Sequence, residues 1–333
     1  MKVGKLSWDD LKNLIDNNKT VLRSDVRIRG GIGEDCSVIN FGEKECVVST
    51  DPITGAVKNS GKLAVHINCN DIASCGVEPV GILVTILAPE DCTLDDINAV
   101  MREIDIETRK LNVEILGGHT EVTRAVNKIV VSCTVLGKGR SGSAVSTSGA
   151  REGDDILVTK YLCLEGTSII VSDYEKQLSS LLSKEEIEEA KSYIEYISVV
   201  KEGIISGKFG VNSMHDITEG GILGGIWEVA KASGTGFRIY MDKMPISKIT
   251  RKLCSAYNID PLRLISSGSM LITTHRGRDL VEILKNSGIK SCIVGKITKK
   301  NGILVNGKNE TEVEPPERDE LFVFKERFDK KYY

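Results

Sequence analysis

The stretch Gly61–Ala88, GKLAVHINCNDIASCGVEPVGILVTILA, decides how this chain is read. Residues 61–76 are rich in small side chains and read as a helix that closes on Gly76, the residue type that ends helices most readily. From Pro79 the composition turns strongly apolar, as a buried strand requires. Inside the helix lies Asn70-Asp71-Ile72, an acidic station in an otherwise apolar segment.

Two more acidic stations precede it, Gly33-Glu34-Asp35-Cys36 and Thr50-Asp51, and both follow or end short β-type runs. A glycine hinge follows at Gly117-Gly118-His119-Thr120-Glu121. Carboxylates brought from separate elements suit a Mg²⁺–polyphosphate site, because Mg²⁺ takes oxygen ligands octahedrally from one or two carboxylates plus the phosphates.

The surrounding pattern is mixed. Trp8, Leu11, Leu14 and Ile15 recur at helical spacing, with Ser7 as a candidate N-cap. Strands are expected at 36–41 and 46–50 around a Gly42-Glu43-Lys44 turn, then at 113–116 and 128–139, with an amphipathic helix over 94–111. One sheet with two covering helices follows for the first half. Residues 139–154 are small and polar and make the clearest candidate boundary, giving units 1–148 and 149–333, although a loop within one compact unit is equally compatible. The second unit reads as a strand at 156–159, a helical region over 165–204 broken near Ser172-Asp173, and His215-Asp216 at the entry to a helix over 221–232. Strands at 237–241, 269–274 and 291–296 and helices at 247–257 and 277–286 complete it.

Composition narrows the classes. A chain of 333 residues is long for one core. A net charge of −3 with dispersed Lys and Arg leaves no nucleic-acid footprint. No apolar run has the roughly 18 residues a membrane span needs. The opening MKVGKLSWDD lacks a signal region, so a cytoplasmic location is expected. Nine cysteines without a Cys-x-x-Cys pair argue against structural zinc and fit a reducing compartment.

At these residues the chain resembles the PurM-like superfamily of aminoimidazole ribonucleotide synthetase. Its members include hydrogenase expression/formation protein HypE, thiamine-monophosphate kinase and selenophosphate synthetase. Gly31-Ile32-Gly33-Glu34-Asp35-Cys36 is similar to the family's Gly-Asp-Asp-Ala segment, and Ser49-Thr50-Asp51 to its Thr-Asp. The run Asn70 to Pro79 is similar to Asn-Asp-(five)-Gly-x-x-Pro, and Gly117-Gly118-His119-Thr120 to Gly-Gly-x-Thr. In the second half Met214 to Gly221 resembles an Asp-x-Thr-x-Gly-Gly helix entry, and Asp260-Pro261-Leu262 with Ser267-Gly268 resembles the Asp-Pro-Leu…Gly segment of the hydrogenase factor.

The resemblance implies a two-domain PurM-like fold, α+β or α/β, with an ATP-binding N-terminal domain and a homodimer joined through the N-terminal sheets. It implies ATP and Mg²⁺ as cofactors, and ATP-driven phosphorylation of an oxygen on a small-molecule or carbamoyl-type substrate. A small-molecule kinase and a non-catalytic nucleotide-binding partner in metallocentre assembly remain as alternatives. Asp35, Asp51 and Asp71 are expected to hold Mg²⁺ and phosphate oxygens, although turn and cap duty explains each one singly. Gly31, Gly33, Thr50, Asn70, Gly117 and Gly118 complete the expected nucleotide contacts. Asp71, His119 and Asp216 are the expected catalytic groups, with free N–H groups at the following helix start offered to an anion.

Several departures bear on the chemistry. Glu34 stands where the family more often has Asp, and its role as a fourth ligand is open. His119 replaces an Asp of the hydrogenase factor and the kinase, which suits Mg²⁺ less well; Glu121 beside it offers an oxygen. Cys36, next to two carboxylates, is expected to be passive. The chain ends Phe328-Asp329-Lys330-Lys331-Tyr332-Tyr333, and its last cysteine is Cys292, so the hydrogenase factor's C-terminal cysteine chemistry is not expected in that form.

Overall fold

The computed structural model describes residues 6, 8–17, 21–31, 33–54, 59–315 and 318–332. In the first half the elements run α1 (Trp8–Asn17), β1 (Val26–Ile28), β2 (Ser37–Phe41), β3 (Lys44–Ile53), α2 (Ser60–Ser74), β4 (Glu78–Ala88), α3 (Leu94–Leu111), β5 (Glu114–Val122) and β6 (Val130–Arg140). Their six strands form one sheet in the order β1-β2-β3-β6-β4-β5, with only β4 and β5 parallel. Fourteen of the fifteen residues of α2 are buried, which makes it the central helix. It ends where Cys75 and Gly76 donate to Ile72 and Ala73, with Gly76 at φ +73°.

The second half continues with β7 (Asp155–Thr159), α4 (Leu164–Asp173), α5 (Glu175–Leu178), α6 (Lys184–Ser192), α7 (Val200–Phe209), β8 (Ser213–Ile217), α8 (Gly221–Ser233) and β9 (Gly236–Tyr240). Then come α9 (Lys248–Tyr257), β10 (Ser269–Thr274), α10 (Gly277–Asn286), β11 (Ser291–Thr298), β12 (Gly302–Asn306), β13 (Asn309–Glu312) and α11 (Glu320–Tyr332). The seven-stranded sheet runs β13-β12-β9-β11-β7-β10-β8, antiparallel except for β12 beside β9. This is an α+β arrangement, with mostly antiparallel sheets covered by helices.

The second sheet is covered on both faces. Ile156, Val158, Ile217 and Leu271 face a core shared with α4, α8 and α9. Leu157, Met214, Met270 and Ile272 face a second core that includes Ile72 and Ala73 of α2. Close approach here depends on glycine: a Cβ on Gly207 of α7 would lie 2.6 Å from the Gly76 Cα. The end of α2, and Asp71 with it, is thereby pressed against the second half.

Two differences from the sequence reading have physical causes. The hinge expected at 117–121 is continuous strand, with Gly117 and Gly118 at φ +139° and +150°. The glycines answer a steric demand, since a Cβ on Gly118 would lie 1.7 Å from the Val84 carbonyl oxygen. His215 and Asp216 do not open a helix; they lie within β8, opposite Leu271 and Met270 of β10. All five residues of β8 are buried, so its polar pair broke the apolar pattern without ending the strand. Strands β1, β12 and β13 and helix α11 were not foreseen. The candidate cap Ser7 lies outside the described residues. No described helix is long and apolar enough to cross a membrane.

Candidate functional site

Strand β3 supplies the first elements of the site by simple alternation. Ser49 and Asp51 share the inner face, and Thr50 points to the other. The Ser49 hydroxyl donates to Asp71 Oδ2 at 2.6 Å and lies 3.3 Å from the Asp35 carbonyl oxygen. The Asp51 N–H donates to Asn68 Oδ1 at 2.8 Å, which ties the strand to the helix turn before Asp71. Asp71 itself is buried, and its carbonyl accepts from Cys36 Sγ at 3.2 Å and Ser74 Oγ at 2.6 Å.

From the second half, β8 brings His215 and Asp216 against the Asp35 turn. His215 Nδ1 is 3.3 Å from Asp35 Oδ2, an ion-pair distance without hydrogen-bond alignment, and its Nε2 meets Glu228 Oε2 of α8 at 2.8 Å. Asp35, His215 and Asp216 offer ligand atoms that all lie within 4.8 Å of one another. Asp216 Oδ2 is buried without a hydrogen-bond partner.

The neighbouring acids shift two of these carboxyls, Asp71 and Asp216. Burial, then Asp216, Asp35 and Asp51, hold the Asp71 carboxyl well above the usual range. Burial, then Asp35, push Asp216 up to about 7. Burial alone would lower His215, but Asp35, Glu228 and Asp216 outweigh it and raise the imidazole to about 9. Four acids from four elements thus crowd one locus, with a single imidazolium as their facing cation in these interactions. An orphaned buried carboxylate oxygen within such a set fits a bound hard cation, which would satisfy it and offset the repulsion.

Other expected residues fall elsewhere. The Thr50 hydroxyl donates to the Cys133 carbonyl at 2.9 Å and accepts from Thr134 Oγ1 at 3.0 Å on the outer face of the sheet. Asn70 is buried, and its amide is engaged by the Ile197 carbonyl and Val199 N–H, both at 2.8 Å, so it fastens the two halves together. Glu34 turns away from Asp35 to accept from Ser146 Oγ at 2.5 Å and the Thr147 N–H at 3.3 Å. Cys36 is buried, and the Cys75 thiol beside it and burial raise its pKa well above normal. Gly31 and Glu34 form an isolated bridge, and Gly33 is buried at φ +75° with Glu228 backbone closest to its missing Cβ.

His119 does not join the four aspartates within one chain. Cross-strand register places Pro52, Ser132, Thr85 and His119 in one row, which puts His119 three strand spacings, about 14 Å, from β3. Its side chain is largely exposed, with Nε2 3.2 Å from Glu121 Oε2. Gly117 and Gly118 share that edge strand. The free helix start expected after Asp216 is also closed: Gly220 N–H donates to Asp319 Oδ2 at 2.6 Å, Gly221 N–H to Thr218 and Leu223 N–H to Leu262.

Two participants escaped sequence reading. Ser49 stands out in the sequence only as part of Ser49-Thr50-Asp51. Glu228 is the one acid within the apolar helix sequence GILGGIWEVAKAS, a signal that went unused.

The domain models of AIR synthase-related proteins match this chain twice, the N-terminal one over residues 33–138 and the C-terminal one over 151–307. Together they take in most of the chain and all four aspartates, and the chain belongs to this PurM-like superfamily. Within it, the chain is 28% identical over 320 residues to a putative hydrogenase expression/formation protein of Methanocaldococcus jannaschii, covering 91% of each. Its fold is similar to that of HypE in the HypE–HypF complex (TM-score 0.70, 21% identity, 86% of this chain and 94% of that one). It is also similar to the thiamine-monophosphate kinase AaThiL complexed with AMPPCP and TMP (TM-score 0.74, 19% identity, 95% and 98%). At these identities the two solved structures speak to fold alone.

Proposed function

We propose that this chain is an ATP- and Mg²⁺-dependent enzyme that phosphorylates or otherwise activates an oxygen of a small-molecule or carbamoyl-type substrate, as a hydrogenase-maturation factor would. The observation that carries this reading is the convergence of Asp35, Asp51 and Asp216, delivered from separate elements of both halves, on the buried Asp71 carboxyl, which burial and these three acids hold well above the usual range. Asp35, Asp51 and Asp71 hold the cation and the β- and γ-phosphates, with the Gly31–Gly33 turn alongside. Asp216 faces the acceptor. Mg²⁺ supplies neutralisation of the charge that develops on the transferring phosphoryl group.

A homodimer through the open face of the first sheet belongs to the same reading. Leu83 and Leu116 are 40% and 51% exposed, and Leu116 already covers Gly81 on that face. Thr50 and His119 also lie there, so any part they take in nucleotide binding depends on that assembly. We divide the chain at 148/149, within the short 3₁₀ turn Thr147–Gly149, and assign it to the cytoplasm. A maturation partner is supported by analogy with the HypE–HypF complex, and neither nucleic acid nor membrane enters the proposal.

A small-molecule kinase, such as AaThiL, is built on the same fold and is kept as a second reading. Incubation with ATP, Mg²⁺ and a panel holding thiamine monophosphate and a carbamoylated thiol separates the two. Mg²⁺-dependent ADP release with a dehydrated thiocyanate product supports the first; a phosphorylated product of the kinase substrate supports the second. Tight nucleotide binding with no turnover on any acceptor contradicts both and leaves a non-catalytic partner.

A further inference from the structure

We propose that Glu228 of α8 is a positioning residue: through His215 it aims the Asp35 carboxylate, so the second half of the chain shapes a nucleotide-site element of the first. The inference rests on the reading of Asp35 as a site carboxylate and deepens it with a residue that touches neither cation nor phosphate.

The Asp35 backbone is placed by its own half, where its carbonyl oxygen lies 3.3 Å from Ser49 Oγ. Its side chain is met from the other half. His215 Nδ1, on β8, stands 3.3 Å from Asp35 Oδ2, and Glu228 Oε2 lies 2.8 Å from His215 Nε2 on the far side of the ring. Helix α8 also fits the ring and the turn by shape. A Cβ on Gly225 would lie 3.4 Å from His215 Cδ2, so glycine gives the ring its seat. The Glu228 carbonyl oxygen lies 3.3 Å from where a Cβ on Gly33 would stand, and Gly33 has φ +75°. One residue of α8 thus abuts the turn with its backbone and reaches the turn's carboxylate through an imidazole.

The need for Glu228 follows from the ring. Rotation about the Cβ–Cγ bond of a histidine is broad and roughly two-fold. The flipped ring exchanges Nδ1 for Cδ2 and Nε2 for Cε1, which turns a carbon toward Asp35. Only the unflipped ring serves Glu228 and Asp35 together. His215 is 2% exposed, so its protein neighbours decide its orientation. Groups that orient a cation-binding carboxylate from behind typically matter by about 10–100-fold in affinity.

Two variants of similar size test the proposal. Glu228→Leu keeps bulk and helix propensity but has no acceptor, whereas Glu228→Gln keeps an acceptor for Nε2–H. Crystals grown without nucleotide read the link itself. In Glu228→Leu the ring is expected to rotate and the Asp35 carboxylate to leave Nδ1; Glu228→Gln is expected to rescue the arrangement. Calorimetry with a non-hydrolysable ATP analogue reads the consequence. The gain in affinity that Mg²⁺ brings should fall about tenfold in Glu228→Leu and return in Glu228→Gln, with Mg²⁺-free affinity unchanged in both. A packing role predicts instead that the two variants behave alike. An unmoved ring and carboxylate in Glu228→Leu, or a Mg²⁺ gain equal to that of the wild type, overturns the proposal. Should Glu228→Leu fail to fold, Glu228→Ala takes its place in the same comparison. A wild type without any Mg²⁺ gain contradicts the nucleotide reading alone, and the crystals then decide the link.

Discussion

The Ser49 hydroxyl donates to the Asp71 carboxylate at 2.6 Å, and Asp71 sits buried against three other acids that all disfavour its charge. Asn at position 71 keeps an oxygen for that hydroxyl and removes the repulsion. We expect Asp71→Asn to raise the stability of the metal-free protein by about 1–2 kcal/mol, the usual scale when a functional strain is relieved. Thermal unfolding in chelator measures it, and a lower melting temperature would show that the charge is accommodated without a cation.

The pH dependence of stability has a definite sign. Burial foremost raises Asp216, Glu165 and Asp319 to about 7. Each binds its proton more tightly in the folded state, so stability is lost as pH climbs from about 4 to about 7. His215, raised to about 9, contributes fully below its ordinary value of 6.5, and that contribution disappears as pH rises through 9. All four act in one direction. Glu107 opposes them only in acid: burial would raise it, but His66 and Lys110 hold it at about 2, and its stabilisation is lost as pH falls from 4.5 to 2. Stability in chelator, read as the melting temperature, should therefore decline from pH 5 to pH 9, by at most roughly 3 kcal/mol per raised acid. Divalent cation should restore the share due to Asp216 but not that due to Glu165 or Asp319. A melting temperature that rises over this interval contradicts the assignment.

The two strand glycines should respond differently to alanine. Gly118→Ala drives a Cβ into the Val84 backbone and should cost about 3 kcal/mol or more. Gly117 has no atom within 4 Å of the added carbon, so Gly117→Ala meets only the backbone penalty of its positive φ, roughly 1 kcal/mol. Denaturant unfolding of both variants checks the ranking, and equal losses would mean that strand β5 relaxes.

Much of this was legible beforehand, for identifiable reasons. Helices α2 and α3 and strand β4 carry strong periodic or continuous patterns, and they appear close to their expected limits. The acidic stations could be read because each aspartate interrupts or ends an apolar run. What sequence could not convey was side-chain direction across a sheet. Thr50 and Asp51 are neighbours in the chain and point to opposite faces. His119 belongs to a glycine motif that resembles a phosphate loop, yet pairing with Thr85 fixes it on the outer face. Asn70 reads as a polar site residue until Ile197 and Val199, far along the chain, take up its amide. The closed start of α8 depends likewise on Asp319, 99 residues beyond Gly220.

The dimer reading is checked at the sheet face. Leu83→Arg places a charge where a second copy would pack, and burying it unpaired is prohibitive. Light scattering after size exclusion should report dimer for the wild type and monomer for the variant, with melting temperature nearly unchanged because Leu83 is already 40% exposed. A monomeric wild type contradicts the assembly.

Convergence of the four carboxylates on one cation and one triphosphate is tested most directly by titration calorimetry. A non-hydrolysable ATP analogue is titrated with and without Mg²⁺ into wild type and Asp71→Ala. We predict that Mg²⁺ tightens binding to the wild type at least tenfold, about 1.4 kcal/mol, and that the substitution abolishes this gain. Equal, Mg²⁺-independent binding by both proteins would contradict the account.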